Sequence, residues 1–339
     1  MKTLTVSLFA LFIITLVACH PDGLPDLQDG NWVKTAPIGS YPRSNSTCFV
    51  IGDSAYVGLG YNETVPGNGR LSDFWRFCLD SGWQQVADFP AIPRSNATGF
   101  GLGNYGYVGT GYDGVNIYND FYQYDAAQNT WTPRAPFPGG ARYDAVGFSV
   151  QGKGYIGTGF SIYWLNDFYQ YDPQADSWSR VAGTSGDFSK RRAAVSFTYH
   201  DKAYIVTGST SGGMASDFWS FDPSKPAPWT QLRDIVNTDS GSFDDGYTDI
   251  EREYAVGFVN GDQAFVTTGR NSSMQTSTWR YDFATDLWER RTAYPRTPRF
   301  GAVAFMVDGQ NFIGSGNTGS STLDDFSRFI PDIPYDSND

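Results

Sequence analysis

One block of about fifty residues recurs six times in this chain. A unit that short cannot bury a core alone, so its copies must stack on one another. Two copies, starting at Gly106 and Gly154, read GYVGTGYDGVNIYNDFYQYDAAQNTW and GYIGTGFSIYWLNDFYQYDPQADSW. Four landmarks set the period. An arginine opens each unit (Arg43, Arg94, Arg142, Arg192, Arg252, Arg299). A glycine follows a hydrophobic run (Gly60, Gly111, Gly159, Gly208, Gly269, Gly316). An acid precedes an aromatic segment (Asp73, Asp120, Asp167, Asp217, Asp325), with Ser277 in its place in the fifth unit. A tryptophan closes the unit (Trp83, Trp131, Trp178, Trp229, Trp288). The sixth unit lacks it, and Trp32 stands before Arg43 as Trp83 stands before Arg94.

Each unit holds four strand-like runs. In the third these are 145–150, 154–159, 167–172 and 177–181, joined within each pair by short turns at 151–153 and 173–176. Aromatics at 17% and 38 glycines suit short strands and tight turns, and no long stretch has helical periodicity. Four antiparallel strands repeated six times predict an all-β chain, a six-bladed β-propeller, since stacked blades cover faces that a single sheet would expose. The segment around Trp32 is expected to complete the last blade as its outermost strand. That closes the ring, removes a free edge and makes Trp32 a stability residue. The other tryptophans are expected between blades, where their apolar area is useful.

The arginine, the glycine run, the aromatic third strand and the tryptophan, at these spacings, resemble the kelch-repeat family over residues 32 to about 330. The family's doubled glycine stands here as GxG (Gly58/Gly60, Gly109/Gly111, Gly157/Gly159, Gly314/Gly316), while units four and five keep only Gly208 and Gly269. The tandem style resembles secreted bacterial kelch proteins more than intracellular animal ones.

The N-terminus reads as a targeting segment. Lys2 precedes an apolar run from Leu4 to Val17, and Leu16-Val17-Ala18-Cys19 resembles a bacterial lipoprotein cleavage box. The expected organisation is a signal peptide over 1–18, a tether over 19–30, the propeller over 31–331 and an acidic tail over 332–339. Cys19 would carry lipid and provide the only membrane contact. The chain would then be exported and anchored in the cell envelope, periplasmic or on the outer-membrane surface. Cys48 and Cys78 fall on the first and third strands of one unit, roughly 9–10 Å apart. That is beyond disulfide reach, so two buried thiols are expected. The net charge of −12 excludes nucleic acid as a partner, because phosphate contacts need a basic surface.

With the start of strand one taken as the top, the links between blades and the loops between strands two and three lie on the top face. Six arginines approach it. They could form an anion-binding ring, with Arg94, Arg142, Arg192, Arg252 and Arg299 as candidates, or each could pair with the repeated acid. Five acids are present, which favours pairing, and Glu251 and Glu253 flank Arg252 where the acid is missing. Departures from the repeat gather on the same face. A long link before Arg252 carries Asp234, Asp239, Asp244, Asp245, Asp249, Glu251 and Glu253. It could offer oxygen ligands to Ca²⁺, but it has no ordered calcium-loop spacing and is expected to be a solvated loop. No metal or cofactor is expected. Tyr61, Tyr112, Tyr118, Phe160, Tyr163 and Trp164 crowd the loops of units one to three, a composition suited to sugar stacking, to protein contact or to packing among the loops.

Three functions compete. A copper radical oxidase resembling galactose oxidase needs two histidines at the mouth, and this chain has only His20, beside Cys19, and His200, in a bottom turn. An enzyme resembling the bacterial kelch sialic-acid mutarotase needs an acid/base pair near a carboxylate-binding arginine. Asp144, Glu251 and Glu253, with Arg142, Arg252, Tyr143 and Tyr254, are the candidates. The expected function is the third: a non-catalytic, monomeric envelope module that recognises a protein or a glycan through its top face.

Overall fold

A computed structural model describes residues 29–183, 188–238 and 242–339. The expected signal peptide, Cys19, nearly all of the tether and Asp239 lie outside the described residues. Six sheets of four antiparallel strands follow one another along the chain. Blade one runs outward from the axis as Thr47–Ile51, Ser54–Gly58, Phe74–Cys78 and Gly82–Val86. The innermost strands of the next five blades are Thr98–Leu102, Val146–Val150, Val195–Tyr199, Val256–Asn260 and Val303–Val307. Blade six is completed from the other end of the chain. Asp29–Thr35 pairs antiparallel with Phe326–Pro334, Trp32 opposite Phe329. The final strand runs past 331 to Pro334, and Asn31 then holds both Asp336 and Asp339, so the acidic tail folds back onto the closing strand.

The landmarks build this ring. Trp131 packs 5.0 Å from Phe74 of the preceding blade, Trp178 4.9 Å from Phe121 and Trp229 4.7 Å from Phe168. Trp83 meets Phe326 of blade six at 5.0 Å. Trp32, 1% exposed, donates its indole N–H to the Thr292 carbonyl at 3.2 Å and packs on Tyr294 and Phe329. The first glycine of each GxG faces a third-strand phenylalanine. A Cβ at Gly58, Gly157 or Gly314 would collide with Phe74, Phe168 or Phe326. Blade five replaces this pair by Thr267 and Thr278, whose hydroxyls bond at 3.0 Å.

Each opening arginine is fully buried and donates to the carbonyl 16 residues on, the residue just before the landmark glycine. Arg43, Arg94, Arg142 and Arg299 also pair with Asp73, Asp120, Asp167 and Asp325. In blade four this residue is Arg191, paired with Asp217, and the assignment of Arg192 to the landmark series is corrected. In blade five the missing acid is replaced by Ser277 Oγ, 2.6 Å from Arg252, and by Asp249 at 3.7 Å. Glu251 and Glu253 do not compensate for it: neither is the partner of Arg252.

The long link before Arg252 is no solvated loop. Ile235, Tyr247 and Ile250 are buried in the core of blades four and five, and the Trp288 N–H donates to the Tyr247 hydroxyl at 2.6 Å. Asp244 accepts from Thr238 and Asp249 from the Trp279 indole. Among the described residues no group of three His, Cys, Asp or Glu could hold a metal ion. Cys48 and Cys78 are free and half-buried rather than enclosed. Cys48 faces the axial channel, where burial pushes its thiol up to about 12.

Candidate functional site at the mouth of the axial channel

Two residues after each opening arginine stand Asn45, Asn96, Asp144, Ala193, Tyr254 and Gly301, all in the left-handed backbone region with φ between 51 and 61°. Such a φ is uncommon for residues other than glycine, with Asn and Asp enriched in it. The N–H of each donates to the carbonyl of its counterpart in the neighbouring blade: Asn96 to Asn45, Asp144 to Asn96, Ala193 to Asp144, Tyr254 to Ala193, Gly301 to Tyr254 and Asn45 to Gly301, at 2.8–3.1 Å. The six amides close a hydrogen-bonded ring at the top of the channel. The preceding residues, Ser44, Ser95, Tyr143, Arg192, Glu253 and Phe300, each bridge to the residue after a landmark glycine: Tyr61, Tyr112, Phe160, Ser209, Arg270 and Asn317. A six-fold backbone thus presents side chains that differ from blade to blade.

The charged part of the mouth lies over blades three to five. The Asp144 carboxylate accepts from the Tyr254 hydroxyl at 2.7 Å and from Asn96 Nδ2 at 2.5 Å, with Arg192 at 3.8 Å. Ala193, between them on the ring, leaves Tyr254 room to reach across. Burial pushes Asp144 up to about 6, against the pull of Tyr254, Arg192 and Asn96, while Glu253 pushes the same way as burial. Glu253 is bound by Arg270 at 2.8 Å and accepts from the Ser209 hydroxyl at 2.7 Å. Arg192 lies 5.2 Å over the Phe160 ring, and its Nε is buried with no partner among the described residues. Asn45 Oδ1 is in the same condition. Of these groups Asn45, Asn96, Asp144 and Tyr254 line a cavity of about 150 Å³. Below it, small residues such as Ala97, Ala145, Ala194 and Ala255 line the channel.

The aromatic part lies over blades two and three. Tyr112 stacks on Tyr143 at 5.2 Å, Tyr143 meets Phe160 edge-on at 5.6 Å, and Phe160 meets Trp164 at 5.0 Å. All four rings are half-buried. On the far side Tyr254 contacts Phe300 at 5.9 Å and Arg270 lies over both rings. Tyr163 stands outside the arc, exposed at a loop tip like Ile162.

The candidates drawn from the sequence therefore separate. Arg94, Arg142, Arg252 and Arg299 have no exposed surface and serve the scaffold. Arg192, Asp144, Glu253 and Tyr254 come together at the mouth, beside Tyr112, Tyr143 and Trp164. Glu251 stays apart, its carbonyl accepting from Asn271 and its carboxyl pushed up by burial. Tyr118 donates to Asp113 and lies 4.2 Å from Arg94. The reading missed Asn45, Asn96, Ser209, Arg270 and Phe300. Asn45 and Asn96 lie two residues after Arg43 and Arg94, and Ser209 and Arg270 directly follow Gly208 and Gly269, so the repeat carried a signal for these four once the register of blade four was right.

No family model matches the chain. Over 138 residues, 39% of this chain and 31% of the relative, it is 30% identical to the N-acetylneuraminate epimerase of Pasteurella multocida (strain Pm70). Over 88 residues, 24% of this chain and 23% of the relative, it is 35% identical to a kelch domain-containing protein of Vibrio cholerae serotype O1. The matched part spans about a third or less of these curated relatives. Among solved structures, that of YjhT is similar with a TM-score of 0.69 over 84% of this chain and 94% of the other, at 17% identity, a likeness of fold.

Proposed function

Because the chain is a kelch-repeat β-propeller, whose repeat accounts for the scaffold and not for the mouth, we propose that it is a glycan-recognition module binding at the top of the channel. The observation that carries this reading is the mouth itself: a buried Asp144 joined to Tyr254 and Arg192, Asp144 and Tyr254 lining a cavity of about 150 Å³, with the Tyr112–Trp164 arc on the same face. Sugars present hydroxyl edges and apolar faces. A small concavity with a few convergent polar groups beside aromatic rings suits both. A flat protein epitope would not reach into it. The unpartnered Arg192 Nε and Asn45 Oδ1 are a donor and an acceptor that sugar hydroxyls would satisfy.

The proposal includes display on the cell envelope through lipid on Cys19. Fatty-acid labelling of the full chain tests that part: label lost in Cys19→Ser supports it, and label retained refutes it. Recognition is tested by screening the chain on a glycan array and measuring hits by calorimetry. Binding that Asp144→Asn weakens by about tenfold or more supports the site, and hits indifferent to that change reject it.

A second reading, a sugar mutarotase, is favoured by one observation. Asp144, pushed up to about 6, would sit near the value that suits proton transfer at neutral pH, and one relative bears the name N-acetylneuraminate epimerase. Anomer exchange of N-acetylneuraminate, followed by NMR with and without protein, decides it. A rate that scales with protein and falls in Asp144→Asn makes the chain an enzyme.

A further inference from the structure

The six opening arginines are spent on backbone carbonyls and, in most blades, an acid. Arg70 is not. It sits in the extended loop of blade one, its guanidinium 4.6 Å over the Tyr61 ring and 5.5 Å over Tyr112. One of its terminal nitrogens donates to the Asn68 carbonyl at 2.7 Å, and its Nε is buried with no partner among the described residues. Asp113, the acid whose charge acts on it, has its carboxylate oxygens taken. It accepts from the Val115 and Asn116 amides at 2.7 Å each, from Asn116 Nδ2 at 3.2 Å and from the Tyr118 hydroxyl. Despite an upward push from burial, these bonds hold it well below the usual carboxylate range. It therefore stays an anion whose oxygens are engaged elsewhere: it acts on Arg70 through its charge but accepts no hydrogen bond from it.

The loop that presents Arg70 is held in place. Asn62 bonds to the Pro42 carbonyl and to Thr322 of blade six, its own N–H donates to the Gly69 carbonyl, and Asn68 Nδ2 reaches across to the Asp113 carbonyl at 2.7 Å. Gly69 has φ +72°, and a Cβ there would press on Tyr61 and on the Asn62 carbonyl, so the sequence at that point serves the approach of Arg70 to the ring. A planar cation between two aromatic rings, fixed in direction and short of acceptors, suits a planar or tetrahedral oxyanion taken in bidentate fashion.

We infer that Arg70, between Tyr61 and Tyr112, is an oxyanion subsite on the rim, so that the ligand of this propeller is an acidic saccharide chain whose carboxylate or sulfate group docks there. This rests on the glycan reading above. Tyr112 belongs both to this subsite and to the aromatic arc, so a chain reaching from Arg70 along the arc ends at the Asp144 cavity.

The test uses the full chain, calorimetry and two probes of equal length, tetragalacturonate and cellotetraose. The acidic probe is expected to bind at least about tenfold more tightly, and Arg70→Gln is expected to erase that preference, with Arg70→Lys in between. A preference that survives Arg70→Gln, or none in the native chain, overturns the inference. If it survives while Asp144→Asn abolishes binding, the glycan reading stands and this subsite alone fails. If Asp144→Asn changes nothing, the glycan reading fails. Titration of ¹⁵N-labelled protein with inorganic sulfate provides an arm free of sugar: the Arg70 Nε–H signal is expected to move, and a signal that stays still refutes the site. Sulfate competing with tetragalacturonate shows that one pocket serves both anions.

Discussion

Asp144 is the pivot of the mouth, accepting from both Tyr254 and Asn96. Its side chain is almost wholly buried, and burial raises its pKa from the usual carboxylate range to about 6. The folded state then holds a proton that the unfolded state has already lost over the window from roughly pH 4 to 6. Stability contributed by the protonated form is therefore present at low pH and lost as pH rises through that window. Asp144→Asn, an Asn at φ 56°, suits the left-handed backbone and stays neutral. The substitution is expected to raise the melting temperature at pH 7, by up to about 3 kcal/mol of stability, with the two proteins converging below pH 4. Thermal melts across pH 3.5–7.5 check this. A difference between the two proteins that does not widen from pH 4 to 6 would contradict the burial argument. Arg142 behaves in the opposite way. Arg142→Met leaves Asp167 and the Thr158 carbonyl without their donor, and a loss of about 3 kcal/mol or more is expected in denaturant melts.

At the scale of elements, the closing strand matters most. Trp32→Ala is expected to cost about 3–5 kcal/mol, because its indole is enclosed by Tyr294 and Phe329 and bonded to Thr292. Deleting 29–35 exposes the edge of Phe326–Pro334 and is expected to yield aggregation that size exclusion would show. An unchanged monomer would refute the closure. This element was legible in the sequence because Trp32 repeats a spacing. Arg191 was not, since two adjacent arginines fit a period of about fifty residues equally well. Only the fixed step to the residue before Gly208 separates them. The insertion before Arg252 misled for another reason. Its acids mark it as polar, but Ile235, Tyr247 and Ile250 are spread between them, and scattered apolar anchors have no period to detect. The mouth was half legible. Asp144 and Tyr254 were singled out for their chemistry, yet their meeting depends on the amide ring and on Ala193, which only the closed six-fold backbone reveals.

At the scale of the whole molecule, the ring separates labour by face. Repeated residues close the propeller, and the side chains that vary at the same backbone positions gather around one mouth. The turns below carry their own side-chain groups, such as Tyr199 stacked between His200 and Phe283, but none of them touches the mouth, so a change there is expected to leave binding intact. The most direct measurement is calorimetric titration of one array-identified saccharide into three proteins: the native chain, Asp144→Asn at the mouth, and Asp53→Asn in a bottom turn. Binding retained by Asp53→Asn and weakened at least about tenfold by Asp144→Asn is the predicted result. Equal binding by all three, or loss only with Asp53→Asn, would contradict the claim that the top mouth is the site.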